Sequence, residues 1–319
     1  MLGWAKENVG IEPLARSEEL RHRLAQRAAD RYEAEELSGL EEETARFRRV
    51  FQRMKQSALA VTDSVVEELA ASEFVPARFE LGFGRGKELP PVEVDNGVTL
   101  RLSGFVDRVD QWLHDGKRYL RVVDYKTGKK SFDFTDVEDG RGLQMLLYLF
   151  ALTRSAELFG PEEVVPAGVL YVPARNPVVD GDRAMSDDEV RAAQSHQLRR
   201  QGLVLNDPTV LAAMERAEGN FRFLPDRADY QVSEEQMEAL DEFVTDALKK
   251  AAGQMAAGNI DADPFWHDGQ HNACRWCDYR AACHFEECCG DRARFRKGIS
   301  GREFWDWMDR RKEDEEHGH

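Results

Sequence analysis

Two acidic residues and a lysine pose the chemical question. Asp124 and Lys126 lie two apart in RVVDYK (121–126), and Asp107 stands 16 intervening residues before Asp124. A strand turns every second side chain to the same face, so Asp124 and Lys126 share one, with Cα atoms about 6–7 Å apart. Leu120 and Val122 fall on that face too, so the polar pair ends an apolar row. A tight turn at His114-Asp115-Gly116 makes the strand of Asp107 a neighbour of the strand of Asp124. Two carboxylates brought this close repel unless a cation joins them. Hard oxygen donors select Mg²⁺ or Mn²⁺. A protonated lysine is no ligand, but it can hold or deprotonate a water beside the metal. Such a set suits phosphodiester hydrolysis, in which a metal activates water and offsets charge on the phosphate. Taken alone, D-x-K also describes a surface ion pair beside a turn.

The cysteines are the second chemical feature. All five fall within residues 274–289, and Cys274, Cys277 and Cys283 follow C-x2-C-x5-C. The x2 spacing lets two thiolates reach one metal or cluster. Cys288, Cys289, His271 and His284 are further donors close in sequence, and Zn²⁺ in a Cys₃His or Cys₄ site stands beside an iron–sulfur cluster as an alternative. Crowding into one window argues against a secreted disulfide scaffold. GFGRGK (82–87) lacks the phosphate-loop spacing G-x-x-x-x-G-K-[ST], so it reads as a hairpin turn and no ATP site is expected. Trp266, Trp276, Trp305 and Trp307 are expected to be buried near the cysteine region rather than to stack on bases.

These groups need elements to position them. Residues 14–73 hold one glycine and no proline, and their charged and apolar residues alternate near helical spacing, which predicts long helices ended by Pro76. Strands are predicted over 78–84, 99–112 and 118–126, with a hairpin signal at Asp95-Asn96-Gly97. A helix over 136–159 and a short apolar strand over 167–173 follow, so 44–173 reads α-β-β-β-α-β. Ser186 with Glu189, and Ser233 with Gln236, fit capping boxes. The expected layout is an N-terminal helical segment (1–75), an α/β core (76–180), a helical extension (181–260), a cysteine-rich region (261–290), and a C-terminal helix with a charged tail that frays from Arg310 (291–319). With 60 acidic against 44 basic side chains the net charge is −16, so the overall field cannot hold nucleic acid. DNA binding would need a local site and a partner chain. No apolar run approaches membrane-spanning length and no signal peptide is evident, so a cytoplasmic protein without membrane attachment is expected.

GFVDRVD (104–110), VVDYKTGK (122–129) and QMLLY (144–148) occur in that order. Together they resemble the G-x-x-D-R, D-Y-K-T/S-G and Q-x-x-x-Y motifs of the RecB-like branch of the PD-(D/E)XK nuclease superfamily. That family has a restriction-endonuclease-like α/β core, α-β-β-β-α-β around a mixed central sheet, here with added helices. SEFVPARFELGFG (72–84), PAGVLYVPARNPVV (166–179) and ACRWCDYRAAC (273–283) are similar to the C-terminal part of AddB-type subunits of ATP-dependent helicase–nucleases, over roughly 70–290. The resemblance implies Asp107 and Asp124 as metal ligands, the backbone carbonyl of Tyr125 as a third, and Lys126 as the catalytic lysine. It implies that Gln144 and Tyr148 support the centre and contact the DNA strand, and it matches Glu80 to a frequent acidic position. The implied cofactors are Mg²⁺ or Mn²⁺ and a [4Fe–4S] cluster held by Cys274, Cys277 and Cys283 with a fourth cysteine that precedes the nuclease domain. The implied partners are DNA and an AddA-type helicase–nuclease subunit, in double-strand break processing and recombinational repair.

The sequence departs from that pattern twice. The metal-site histidine usual on a helix before the first strand has no match, since His22 lacks its G-x-x-x-H setting, and the fourth cysteine is not in this chain. The chain is therefore expected to be a C-terminal fragment whose cluster region is poorly held or recruits Cys288, Cys289 or a nearby histidine. Alternative readings are a catalytically silent structural or DNA-channelling module of the same complex, and a Cas4-type exonuclease, which the motif order in 166–283 disfavours.

Overall fold

The structure, a computed structural model, describes residues 9–36, 44–89, 92–95, 99–128, 130–179, 185–217 and 220–317. Along the chain run α1 (Ile11–Arg16), α2 (Glu18–Glu36), α3 (Ala45–Ala70), β1 (Val75–Phe83), β2 (Val92–Asp95), β3 (Thr99–Leu102), β4 (Gly104–His114), β5 (Lys117–Lys126), α4 (Phe134–Glu138), α5 (Gln144–Arg154) and β6 (Glu163–Pro173). Then come α6 (Asp187–Gln197), β7 (Gln201–Leu205), α7 (Pro208–Met214), β8 (Gln231–Val232), α8 (Glu234–Ala256), β9 (Phe265–Trp266), α9 (Arg280–Cys283), β10 (Arg294–Phe295) and α10 (Gly301–His317). The Asn96-Gly97 turn signal lies outside the described residues. Among the described residues no helix is long and apolar enough to cross a membrane.

The elements fall into two compact units: Met1–Pro91, Ser103–Phe132 and Met145–Glu238 form the first, and Val92–Leu102, Asp133–Gln144 and Ala239–His319 the second. The first is built on a six-stranded sheet in the order β1-β4-β5-β6-β7-β8. Pairs β1/β4, β4/β5 and β6/β7 are antiparallel, while β5/β6 and β7/β8 are parallel. The parallel β5/β6 pair requires a crossover, and α5 provides it, burying Met145, Leu146, Leu149 and Leu152. Val65 and Leu69 of α3 pack with Val123, Leu170, Val172 and Val204 of the sheet. Pro76 is accommodated because β1 is an edge strand with a register shift between Pro76 and Arg78.

A buried ionic network lies in this core. Glu68, at 2% exposure on α3, meets Arg121 at 3.1 Å and Arg200 at 2.7 Å, and Arg108 stands 3.6 Å away. Asp110 accepts from Arg108 at 3.0 Å and from Arg121 at 2.9 Å. Burial alone would push Glu68 up, but the guanidiniums of Arg200, Arg121 and Arg108 prevail and hold it at about 2, below its ordinary 4.5.

In the second unit, β2 pairs antiparallel with β3 and β10 pairs parallel with β9. Phe134 of α4 meets Phe304 of α10 with ring centroids 5.1 Å apart. Asp139 is held by Arg294 at 2.9 Å and Arg296 at 3.1 Å.

Four expectations are corrected. The helix over 136–159 is two helices, because Gly140 and Gly142 take φ of 73° and 65°, left-handed values that stop α4 before α5 begins. The strand over 99–112 breaks at Ser103 into β3 and β4. The extension over 181–260 is not all helical, since β7 and β8 join the sheet and carry it to Val232. Its apolar run GLVL is too short to show a period, and sheet pairing decides it. The charged tail does not fray at Arg310: α10 continues to His317. It starts in a capping box of Ser300 and Glu303, buries Phe304 and Met308, and pairs Arg311 with Asp246 at 2.8 Å. The capping boxes at Ser186 and Ser233 form as the sequence predicts.

Removing one partner of a buried ion network strands the others, at a cost of about 3–5 kcal/mol. Glu68→Gln is therefore expected to lower unfolding free energy by about that much in urea titrations. The folded carboxyl titrates below its unfolded range, so its stabilisation is full above pH 4.5 and is lost as pH falls through about 2. Glu68→Gln should remove that part of the acid dependence; an unchanged acid profile would show that the network does not set it.

Candidate active site

The β4–β5 ladder runs from His114↔Lys117 to Arg108↔Val123. One residue further on, the register sets Asp107 level with Asp124. At that point the backbone N–H of Tyr125 donates to the Asp107 carboxylate at 2.9 Å, so a side chain takes the amide as the ladder ends. Asp107 is thereby tied to the backbone of the D-x-K segment.

On the same edge Lys126 Nζ lies 2.6 Å from Asp124 Oδ2. Asp124 is buried, whereas the Lys126 side chain retains 35% exposure, so the cation stands at the mouth and the carboxylate behind it. Burial pushes the Asp124 carboxyl above its ordinary value, and the Asp107 charge adds to that push against the pull of Lys126. Tyr125 points the other way, as period two requires: its hydroxyl accepts from Arg108 at 2.6 Å. The backbone between Asp124 and Lys126 is thus held through Asp107 on one side and through the buried network on the other.

The donors suit a hard divalent cation. Two carboxylates and the Tyr125 carbonyl are oxygen ligands. The burial and like charge that raise Asp124 are what a bound cation would offset.

A basic hollow of about 210 Å³ adjoins this edge, lined by Lys126, Lys130, Tyr171, Arg175 and Arg199 among others. Lys130 sits over the Tyr171 ring at 5.9 Å. Sequence reasoning singles out only Lys126 here. Lys130 and Arg175 follow β5 and β6 directly, and the parallel pairing of those strands, ending at Lys126↔Pro173, is the signal that joins them.

The remaining candidates are placed as follows. Gln144 is the first residue of α5 and Tyr148 lies one turn on. Tyr148 is buried edge-on to Phe83 at 5.1 Å. A Cβ on Gly104 would stand 2.8 Å from the Tyr148 hydroxyl, which gives the glycine of GFVDR a steric reason. Glu80 is level with Asp107, between the pairs Phe79↔Arg108 and Leu81↔Val106, but is exposed and has φ of 50°. His22 is engaged with Asp63 at 2.7 Å. Cys274 is partly buried and Cys277 and Cys283 are exposed, all as free thiols. Burial, then the neighbouring Cys277 and Cys283, push the Cys274 thiol up, so the three share one neighbourhood and supply three of the roughly four thiolates a cluster takes. Trp276, expected to be buried, is 82% exposed, whereas Trp305 is buried.

This fold and edge define a nuclease of a known class. The sequence profile of the PD-(D/E)XK nuclease superfamily matches residues 5–284, and the chain belongs to that superfamily. Among curated proteins it is similar to the AddB-type subunit of the ATP-dependent helicase/deoxyribonuclease of Clostridium novyi (strain NT), with 34% identity over 268 residues, 81% of this chain and 24% of that protein. The corresponding protein of Caldanaerobacter subterraneus subsp. tengcongensis is 32% identical over 255 residues, 76% of this chain and 22% of its own length. That of Acetivibrio thermocellus is 32% identical over 246 residues, 73% and 21%. The chain thus spans under a quarter of the length of the relatives it matches.

Asp124→Asn removes a buried like charge, so without metal the variant should melt at or above the temperature of the parent. Its Mn²⁺ affinity, followed by titration calorimetry, should fall at least about tenfold, the equivalent of 1.4 kcal/mol. Undiminished Mn²⁺ binding would sink the assignment of Asp124 as a ligand.

Proposed function

We propose that this chain is the metal-dependent deoxyribonuclease module of a helicase–nuclease subunit, cutting single-stranded DNA fed to it by a motor. The observation that carries this reading is the convergence of Asp107, Asp124 and Lys126 at one strand edge beside a basic hollow, in a chain of net charge −16. A local cationic path next to a buried acidic pair fits a phosphodiester strand that partners must deliver, since the global field repels it.

Asp107, Asp124 and the Tyr125 carbonyl would hold Mg²⁺ or Mn²⁺, which supplies charge neutralisation at the phosphate and acidifies a bound water. Lys126 holds the attacking water by hydrogen bond and offsets charge that builds on the phosphate oxygens. Lys130 and Arg175 bind the flanking phosphates and set the strand along the hollow. Asp107 keeps the Tyr125 amide, and with it the D-x-K backbone, in place. In the balanced reaction the water oxygen bonds to phosphorus, one P–O ester bond breaks, and the water proton passes to the leaving alkoxide. No covalent intermediate is required.

In the same reading Cys274, Cys277 and Cys283 supply three thiolates of a [4Fe–4S] cluster that ties the module together, the hydrolysis itself needing no electrons. The partner is an AddA-type helicase–nuclease subunit, and the setting is recombinational repair in the cytoplasm. The similarity of this chain to proteins named as helicase/deoxyribonuclease subunits supports all three.

The test is cleavage of end-labelled single-stranded DNA by the 319-residue chain with Mg²⁺ or Mn²⁺. Lys126→Ala should lower the rate by about 10²-fold or more, the scale of lost proton-transfer and electrostatic catalysis, while Mn²⁺ binding and melting temperature hold. A variant cutting at the parental rate would overturn the role given to Lys126.

A further inference from the structure

The cysteine region contains a second donor group, separate from C-x2-C-x5-C. Among the described residues, one set of three potential ligands has its donor atoms within 4.8 Å of one another: Glu286, Cys288 and Cys289. Cys288 Sγ and Cys289 Sγ are 3.9 Å apart, and Glu286 Oε2 lies 3.9 Å from the first and 3.3 Å from the second. Zinc bonds of about 2.3 Å to sulfur and about 2.0–2.2 Å to oxygen, set at tetrahedral angles, give S···S edges of about 3.8 Å and S···O edges of about 3.5 Å. The three observed separations match one face of such a tetrahedron to within a few tenths of an ångström.

Local structure holds this arrangement. The two cysteines end a 3₁₀ turn, Glu287–Cys289, closed by Gly290 at φ of 104°. The Glu286 amide donates to the Asp291 carboxylate at 2.8 Å, so the segment folds back on itself and presents all three donors to one side. All three are exposed, which leaves the outer position to water.

We infer that Glu286, Cys288 and Cys289 form a mononuclear site for a thiophilic divalent cation of the Zn²⁺ class, distinct from any centre that Cys274, Cys277 and Cys283 build. Softness excludes Mg²⁺ as its occupant, because two of the three donors are thiolates. Two thiolates and a carboxylate carry three negative charges, and the cation offsets two of them. Without metal the cluster keeps its protons: the hydrogen bond to Glu286, then that to Cys288, pushes the Cys289 thiol up. Binding therefore breaks two S–H bonds, forms two S–Zn bonds and releases two protons to solvent, which makes affinity rise with pH. The bound ion staples the turn that follows the cysteine motif.

Cobalt(II) tests this on the full 319-residue chain, reduced and freed of metal. One equivalent should bind with a thiolate-to-cobalt charge-transfer band and tetrahedral visible bands, and Zn²⁺ should displace it. In C288S/C289S those bands should vanish, while C274S/C277S/C283S should keep them at one equivalent. Glu286→Gln alters one exposed side chain, and it should weaken Co²⁺ binding at least about tenfold with an unchanged far-ultraviolet dichroism spectrum. Bands that survive in C288S/C289S, or that vanish in the triple serine variant while it stays folded, would overturn the proposal. Loss in the triple variant would assign Cys288 and Cys289 to the neighbouring centre instead.

Discussion

The structure depends on the register of β4 against β5. Asp107 and Arg108 are adjacent in the chain, yet the pleat sends them to opposite faces. On one face Asp107 catches the Tyr125 amide next to Asp124 and Lys126. On the other, Arg108 catches the Tyr125 hydroxyl and joins Asp110, Arg121 and Glu68 in the interior. A slip of one residue would exchange the faces, place the acidic pair in the core and expose the guanidiniums. The acidic edge and the buried network are two consequences of one pairing.

This also accounts for charge in an interior that apolar side chains could fill. Buried ion networks contribute little net stability compared with apolar packing, because desolvation consumes the Coulomb gain. What they add is intolerance of other arrangements. Glu68 comes from α3, Arg108 from β4, Arg121 from β5 and Arg200 from just before β7. Four parts of the first unit must meet at one point, or charges are left unpaired. Tyr125 links that point to the functional edge through a single residue, so precision in the core becomes precision in the carboxylate pair.

Charge is partitioned along the chain. The net value of −16 would repel a polyanion, but cations gather where β5 and β6 end side by side. Parallel pairing brings the loops after both strands to the same edge, so Lys130 and Arg175 line one hollow although 44 residues lie between them. The cysteine-rich segment follows another logic: it has little buried apolar surface, and its order rests on turns, Asp and Glu side chains accepting backbone amides, and the thiol donors themselves.

Much of the site was legible in local pattern. Period two alone put Asp124 and Lys126 on one face, and the short connection at His114-Asp115-Gly116 brought Asp107 beside them. Capping boxes at Ser186 and Ser233 were readable because a cap involves residues three apart. Tertiary structure decided the rest. Whether GLVL became a strand depended on pairing with β6, a partner from an earlier part of the chain across the whole of α6. The helix over 136–159 was ended by two glycines whose left-handed backbone no periodicity announces. Glu68 and Arg200 are 132 residues apart and meet only because α3 lies against the sheet. Short-range order follows from rotamers, pleat and caps, which a sequence displays. Long-range pairing follows from burial and desolvation, which exist only once the chain has closed on itself.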